Sequence, residues 1–176
     1  MKDKGLLLAI SVLVIIVIVF LAKPNSSLTT VIIVRHAEKS DTPIGDVSLN
    51  SDGQLRAESL IDVAEVAGVT LIYATQYART RQTAEPLAVQ LGLRVNLFEV
   101  DHSGPQRYAK DLAQKIMSEH IGETVLIFSH SNTIPLIIEE LGAGMIASIP
   151  DDEYGDLFII SSRDWDERVS LIKAKY

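Results

Sequence analysis

Residues 30–39 read Thr-Val-Ile-Ile-Val-Arg-His-Ala-Glu-Lys. The first five, Thr30 to Val34, are all β-branched, which suits a strand packed within a sheet. Arg35 and His36 follow directly where that strand ends. In open α/β sheets, ligands bind just beyond the carboxyl ends of the strands. The pair therefore stands where a site belongs, provided that the rest of the chain builds such a sheet.

The flanking sequence supplies it. A Pro/Gly/Asp-rich loop runs to Asn50, and Ser51-Asp52-Gly53-Gln54 has the spacing of a capping box, predicting a helix that stops near Gly68. Val69–Ala74 reads as a second strand and Arg79–Leu91 as a helix closed by Gly92. Val95–Phe98 is a third strand. In the helix expected over Pro105–His120, Tyr108, Leu112 and Ile116 share one face at i, i+4, i+8. Thr124–Phe128 reads as a fourth strand, Ile134–Leu141 as helical, and Leu157–Ile160 with Arg168–Ile172 as a closing pair of strands. Strand–helix alternation of this kind predicts a three-layer α/β/α sandwich around a mostly parallel sheet.

Two further strands end in polar residues of the same character. His130 follows Thr-Val-Leu-Ile-Phe-Ser, and Arg79 lies just past the second strand. Two guanidinium forks and an imidazole fit the peripheral oxygens of a phosphoryl group, whose transfer is catalysed mainly by positioning and electrostatics. The chain as a whole has a net charge of −7, so nucleic acid is excluded as a general partner and the basic spot is local. There is no cysteine, which removes disulfides, thiolate nucleophiles and cysteine metal sites. The four histidines, at 36, 102, 120 and 130, do not have the spacing of a metal cluster. No metal and no cofactor is expected. Arg81, His102 and His120 read as surface, loop and helix-end residues, with His102 near enough to rim a pocket.

Val34-Arg35-His36-Ala37-Glu38, then Tyr73-Ala74-Thr75-x-x-x-Arg79-Thr80-x-Gln82-Thr83-Ala84, then His130-Ser131-Asn132 resemble the histidine phosphatase superfamily, also called phosphoglycerate mutase-like. The motifs come in the family's order and span roughly Thr30 to Ile160. Leu49-x-x-x-Gly53-x-x-x-Ala57 and Glu153-Tyr154-Gly155-Asp156-Leu157-Phe158 resemble further family segments. The resemblance implies that His36 attacks phosphorus and becomes a phosphohistidine. It implies that Arg35, Arg79, His130 and Ser131 bind the phosphoryl oxygens, and that a carboxylate serves as acid and then base. Glu99 is the candidate for that carboxylate, with Asp101 as the alternative two residues on. Where the family usually has Gly, Thr and Gly, this chain has Ala37, Lys39 and Ser129. The connections after the first and third strands are short, so an open, lidless pocket is expected. A mutase must shield phosphohistidine from water, which favours a hydrolase. The activity expected is that of a metal-independent phosphomonoesterase acting on a small phosphorylated substrate. A protein phosphohistidine phosphatase and a non-catalytic phospho-ligand-binding domain are the alternatives.

At the other end of the chain, Gly5 to Ala22 is free of charge. As a helix it would extend about 27 Å, close to the ~30 Å hydrocarbon layer of a bilayer. Lys2 and Lys4 precede it, which favours an N-terminus on the cytoplasmic side. Residues 1–22 are thus expected to form a transmembrane anchor or, as the alternative, a cleaved signal, residues 23–29 a linker, and 30–176 the catalytic domain. Either reading puts that domain on the periplasmic or extracellular side. The sequence leaves oligomeric state open.

Overall fold

The computed structural model describes residues 27–41, 45–165 and 167–176. The apolar run Gly5–Ala22 lies outside the described residues. Among the described residues no helix is long and apolar enough to cross a membrane.

The strands are β1 (Thr29–Arg35), β2 (Leu71–Ala74), β3 (Val95–Leu97), β4 (Thr124–Ser129), β5 (Asp156–Asp164) and β6 (Arg168–Lys175). The helices are α1 (Ser51–Ala64), α2 (Ala78–Leu91), α3 (Gly104–Glu119) and α4 (Ile134–Glu140). One sheet takes the order β3-β2-β4-β1-β5-β6. The first four strands in that order are parallel, and β5 and β6 add an antiparallel edge. The expected mostly parallel three-layer sandwich is what forms.

Alternation along the central strands divides the core in two. Val31, Ile33, Val125 and Ile127 pack with Tyr108, Leu112 and Ile116 of α3 and with Ile134, Ile137 and Ile138 of α4. On the opposite face, Ile32, Val34, Leu126 and Phe128 pack with Leu60 and Ala64 of α1 and with Ala84, Leu87 and Ala88 of α2. Burial on both faces explains why these strands carry near-continuous apolar runs.

Local endings differ from expectation in three places. The cap of α1 is Asn50, one residue before the expected Ser51, and its side-chain oxygen accepts from Gly53 N at 2.8 Å. The helix ends at Ala64, and a 3₁₀ turn, Glu65–Ala67, carries the chain to Gly68, whose φ of 69° ends it. The final hairpin is longer than expected, because β6 runs on to Lys175 along β5.

Candidate active site

Parallel pairing brings the site together. β1 and β4 are in register, Arg35 opposite Ser129, and β2 lies on the other side of β4 with Ala74 opposite Phe128. The residues that follow these strands therefore emerge at one edge of the sheet. His36 N donates to Ser129 O at 3.0 Å, which continues the ladder one step beyond β1. A cavity of about 240 Å³ opens there, lined by Arg35, His36, Lys39, Tyr77, Arg79 and His130, among others. Ser131, Asn132, Val100 and Asp151 complete much of its rim.

His36 is buried, and its Nδ1 lies 2.8 Å from Ala37 O. A carbonyl can only accept, so Nδ1 carries the hydrogen and the lone pair is left on Nε2. Burial is the main cause lowering its pKa to about 4, with Arg79 and Arg35 adding in the same direction. The ring is therefore neutral at physiological pH. His130 is lowered to about 3, again first by burial and then by His36, Arg79 and Arg35.

The His130 tautomer follows from its neighbours. Arg79 Nη2, which can only donate, lies 3.4 Å from Nδ1, so Nε2 carries the hydrogen and donates to Thr75 Oγ1 at 3.0 Å. Thr75 Oγ1 is 2.8 Å from Thr80 Oγ1, which donates to Tyr77 O at 2.8 Å. A chain of three hydrogen bonds thus fixes the imidazole plane. The two rings of His36 and His130 meet edge to face with centroids 5.4 Å apart.

Each arginine rests on a tyrosine. Arg35 Cζ is 4.3 Å from the ring centroid of Tyr154, and Arg79 Cζ is 4.7 Å from that of Tyr77. Arg35 is buried, and its Nη1 donates to Pro150 O and Glu153 O, both at 2.8 Å. The guanidinium thereby ties the loop before β5 to the end of β1. Nε of Arg35 and Nε of Arg79 are buried without a hydrogen-bond partner. Burial is also the main cause that lowers the pKa of Arg79. Two charged donor groups with unused capacity beside two neutral imidazoles make a site suited to an anion.

The departures at Ala37 and Ser129 are accommodated. Ala37 is fully buried in a small cluster with Leu49 and Ala57, and its N donates to Thr83 Oγ1 at 3.0 Å. Ser129 Oγ lies 2.7 Å from Thr133 Oγ1, so the added hydroxyl is satisfied. Glu38 pairs with Arg56 at 2.6 Å and does not face the cavity lining. Arg81 is exposed and stands 3.9 Å from Asp46, the surface position expected of it. His120 meets the Tyr73 hydroxyl at 3.0 Å, away from the cavity.

The carboxylates are placed otherwise than expected. Arg35, His36, Arg79, His130 and Ser131 all line the cavity, whereas Glu99 and Asp101 do not. Both are exposed, and Asp101 Oδ1 accepts from Ser103 N at 2.8 Å. The residue between them, Val100, lines the cavity, because Gln76 clamps its backbone on both sides at 2.9 and 3.0 Å. The shared parity of Glu99 and Asp101 holds, but it is Val100 that faces inward. The carboxylate at the cavity is Asp151, exposed, 3.9 Å from Arg35 Nη2. Tyr77, Tyr154, Thr75 and Asp151 are site residues that the motif reading did not assign. Among the described residues no group of three or more potential ligands is arranged to hold a metal ion.

Residues 31–100 match the family described as "Histidine phosphatase superfamily (branch 1)". No curated protein matches the chain significantly in sequence. Among solved structures, the protein histidine phosphatase SixA complexed with tungstate is similar with a TM-score of 0.64 and 17% identity, covering 83% of this chain and 96% of that one. The mycobacterial glucosyl-3-phosphoglycerate phosphatase gives 0.59 and 13%, over 85% of this chain and 98% of the other. Phosphoserine phosphatase of Entamoeba histolytica, in complex with 3-phosphoglyceric acid, gives 0.60 and 15%, over 84% and 97%. At such identities the likeness is one of fold. The sequence match covers the segment that holds Arg35, His36 and Arg79, and the likeness of fold extends over most of the chain.

Proposed function

We propose that the chain is a metal-independent phosphomonoesterase in which His36 is the nucleophile. The observation that carries this reading is the Ala37 carbonyl on His36 Nδ1, which leaves the Nε2 lone pair for phosphorus. Nε2 forms the N–P bond as the ester P–O bond breaks, and water later cleaves N–P to release phosphate. Arg35 and Arg79 neutralise the equatorial oxygens, more strongly as charge develops. His130 and Ser131 complete the phosphoryl contacts, with His130 donating once an anion beside it favours its protonation.

The departing oxygen needs a proton. Glu99 is the carboxylate that family resemblance suggests, and Asp151 is the one at the cavity. Geometry comes first in choosing an acid–base group, and it favours Asp151. A second reading, hydrolysis of phosphohistidine on a protein, is favoured by the small open cavity with a single rim carboxylate, since imidazole departs more readily than an alkoxide. We further propose that Gly5–Ala22 anchors the chain in a membrane and that the domain works on its extracytoplasmic side, on the strength of the length and lack of charge of that run.

The test is turnover of 4-nitrophenyl phosphate by the detergent-solubilised full-length chain in the presence of chelator. Activity that survives chelation and vanishes in His36→Ala supports the assignment. Equal rates in the two proteins would exclude His36 as nucleophile, and no turnover by the wild type would favour a binding domain.

A further inference from the structure

One cation at the cavity has no place in phosphoryl transfer as described. Lys39 lines it together with Arg35, His36 and Arg79, and its charge reaches the His36 ring, adding to the burial and arginine effects that lower that pKa. Its ammonium has no hydrogen-bond or ion-pair partner among the described residues, although the chain as a whole is acidic. The adjacent acid, Glu38, is held by Arg56 at 2.6 Å. Asp151, which lines the same cavity, is exposed and stands 3.9 Å from Arg35.

The backbone beneath Lys39 is firmly held. Lys39 and Leu49 form an antiparallel bridge. Asn50 N donates to Glu38 O at 3.0 Å, and Ser40 N donates to Ser48 O at 2.9 Å. Gly53 packs so closely below that an added Cβ would come within 2.1 Å of Glu38 O. A cation on a fixed stem, with a free head at the mouth of an anion site, is preorganised for a second negative charge.

We propose that Lys39 forms a subsite for a second anionic group, a carboxylate or another phosphate, carried by the same substrate as the reacting phosphoryl group. This rests on the phosphoryl-binding reading of the cavity but not on His36 acting as nucleophile. It narrows the substrate class to phosphate esters that carry a further acidic group close to the ester, and makes plain alkyl phosphates poor ligands.

Equilibrium binding tests it without turnover. The probes are propylphosphonate and 3-phosphonopropionate, alike in reach but ending in methyl or carboxylate, measured by calorimetry on the full-length chain. The carboxylated probe should bind roughly fivefold more tightly at low ionic strength, the scale of one partly exposed ion pair. That preference should shrink with salt, vanish in Lys39→Met and persist in Lys39→Arg. A third probe with a second phosphonate in place of the carboxylate separates the two anion types. Equal affinities in the wild type, or a preference that survives Lys39→Met, would overturn the subsite. Failure of every phosphonate to bind would instead sink the phosphoryl site and the subsite with it.

Discussion

Acid should destabilise this fold through His36 in a calculable way. The imidazole titrates near 6.5 in the unfolded chain and is lowered to about 4 in the folded one, chiefly by burial. Between those values the unfolded state binds more protons, so stability rises with pH across that window and is lost as pH falls through it. Linkage gives a loss of about 2 kcal/mol from this one group between about pH 7 and about pH 4.5. Other groups titrate too, so the comparison is with His36→Asn, whose amide can still donate to Ala37 O but cannot take up the proton. Urea unfolding of both full-length proteins, followed by fluorescence of Trp165, should show the wild type losing roughly 2 kcal/mol more than the variant across that interval. Parallel losses in the two proteins would refute the claim that His36 is held neutral by its surroundings. They would also remove the basis for calling Nε2 a free nucleophile at mildly acidic pH.

Three further outcomes follow from the same geometry. Arg79→Ala should lower kcat for an aryl phosphate by about a hundredfold to a thousandfold while leaving the unfolding midpoint almost in place, measured by steady-state kinetics beside urea unfolding. Gly53→Ala should cost about 1–3 kcal/mol, because the new Cβ meets the Glu38 carbonyl and the backbone must shift; an unchanged urea midpoint would contradict that packing. Asp151→Asn should slow an alkyl phosphate far more than 4-nitrophenyl phosphate, whose leaving group needs no proton, and Glu99→Gln and Asp101→Asn should not. The opposite pattern in rates would return the acid–base role to Glu99.

Much of this fold was legible because its signals are local. Five consecutive β-branched residues followed by Arg35-His36 mark a buried strand and the end of it, and the i, i+4, i+8 spacing of Tyr108, Leu112 and Ile116 marks the packed face of α3. The gathering of Arg35, Arg79 and His130 followed from the rule that parallel strands present their carboxyl ends together. Strand order was not legible, since it depends on which runs pair across long separations. The same holds for Tyr154, which meets Arg35 only because the loop before β5 is tied to the end of β1 through the Glu153 carbonyl. The Glu99 placement shows a different limit. Alternation says that Glu99 and Asp101 share a side but not which side that is, and the choice is made by Gln76, whose amide grips Val100 from β2's own loop. Asn50 capping in place of Ser51 is a shift of one residue between two good capping types, set by where the Lys39–Leu49 bridge lets the chain enter the helix.

The central claim is a covalent bond between phosphorus and His36. Rapid acid-free quenching of the full-length chain during turnover of a phosphate monoester, followed by peptide mass spectrometry, measures it directly. The expected result is a phosphoryl group on His36, stable to base and lost in acid, and absent from His36→Ala. Turnover with no phosphorylated His36 at any quench time, or with the phosphoryl group on Ser131 or another side chain, would contradict it.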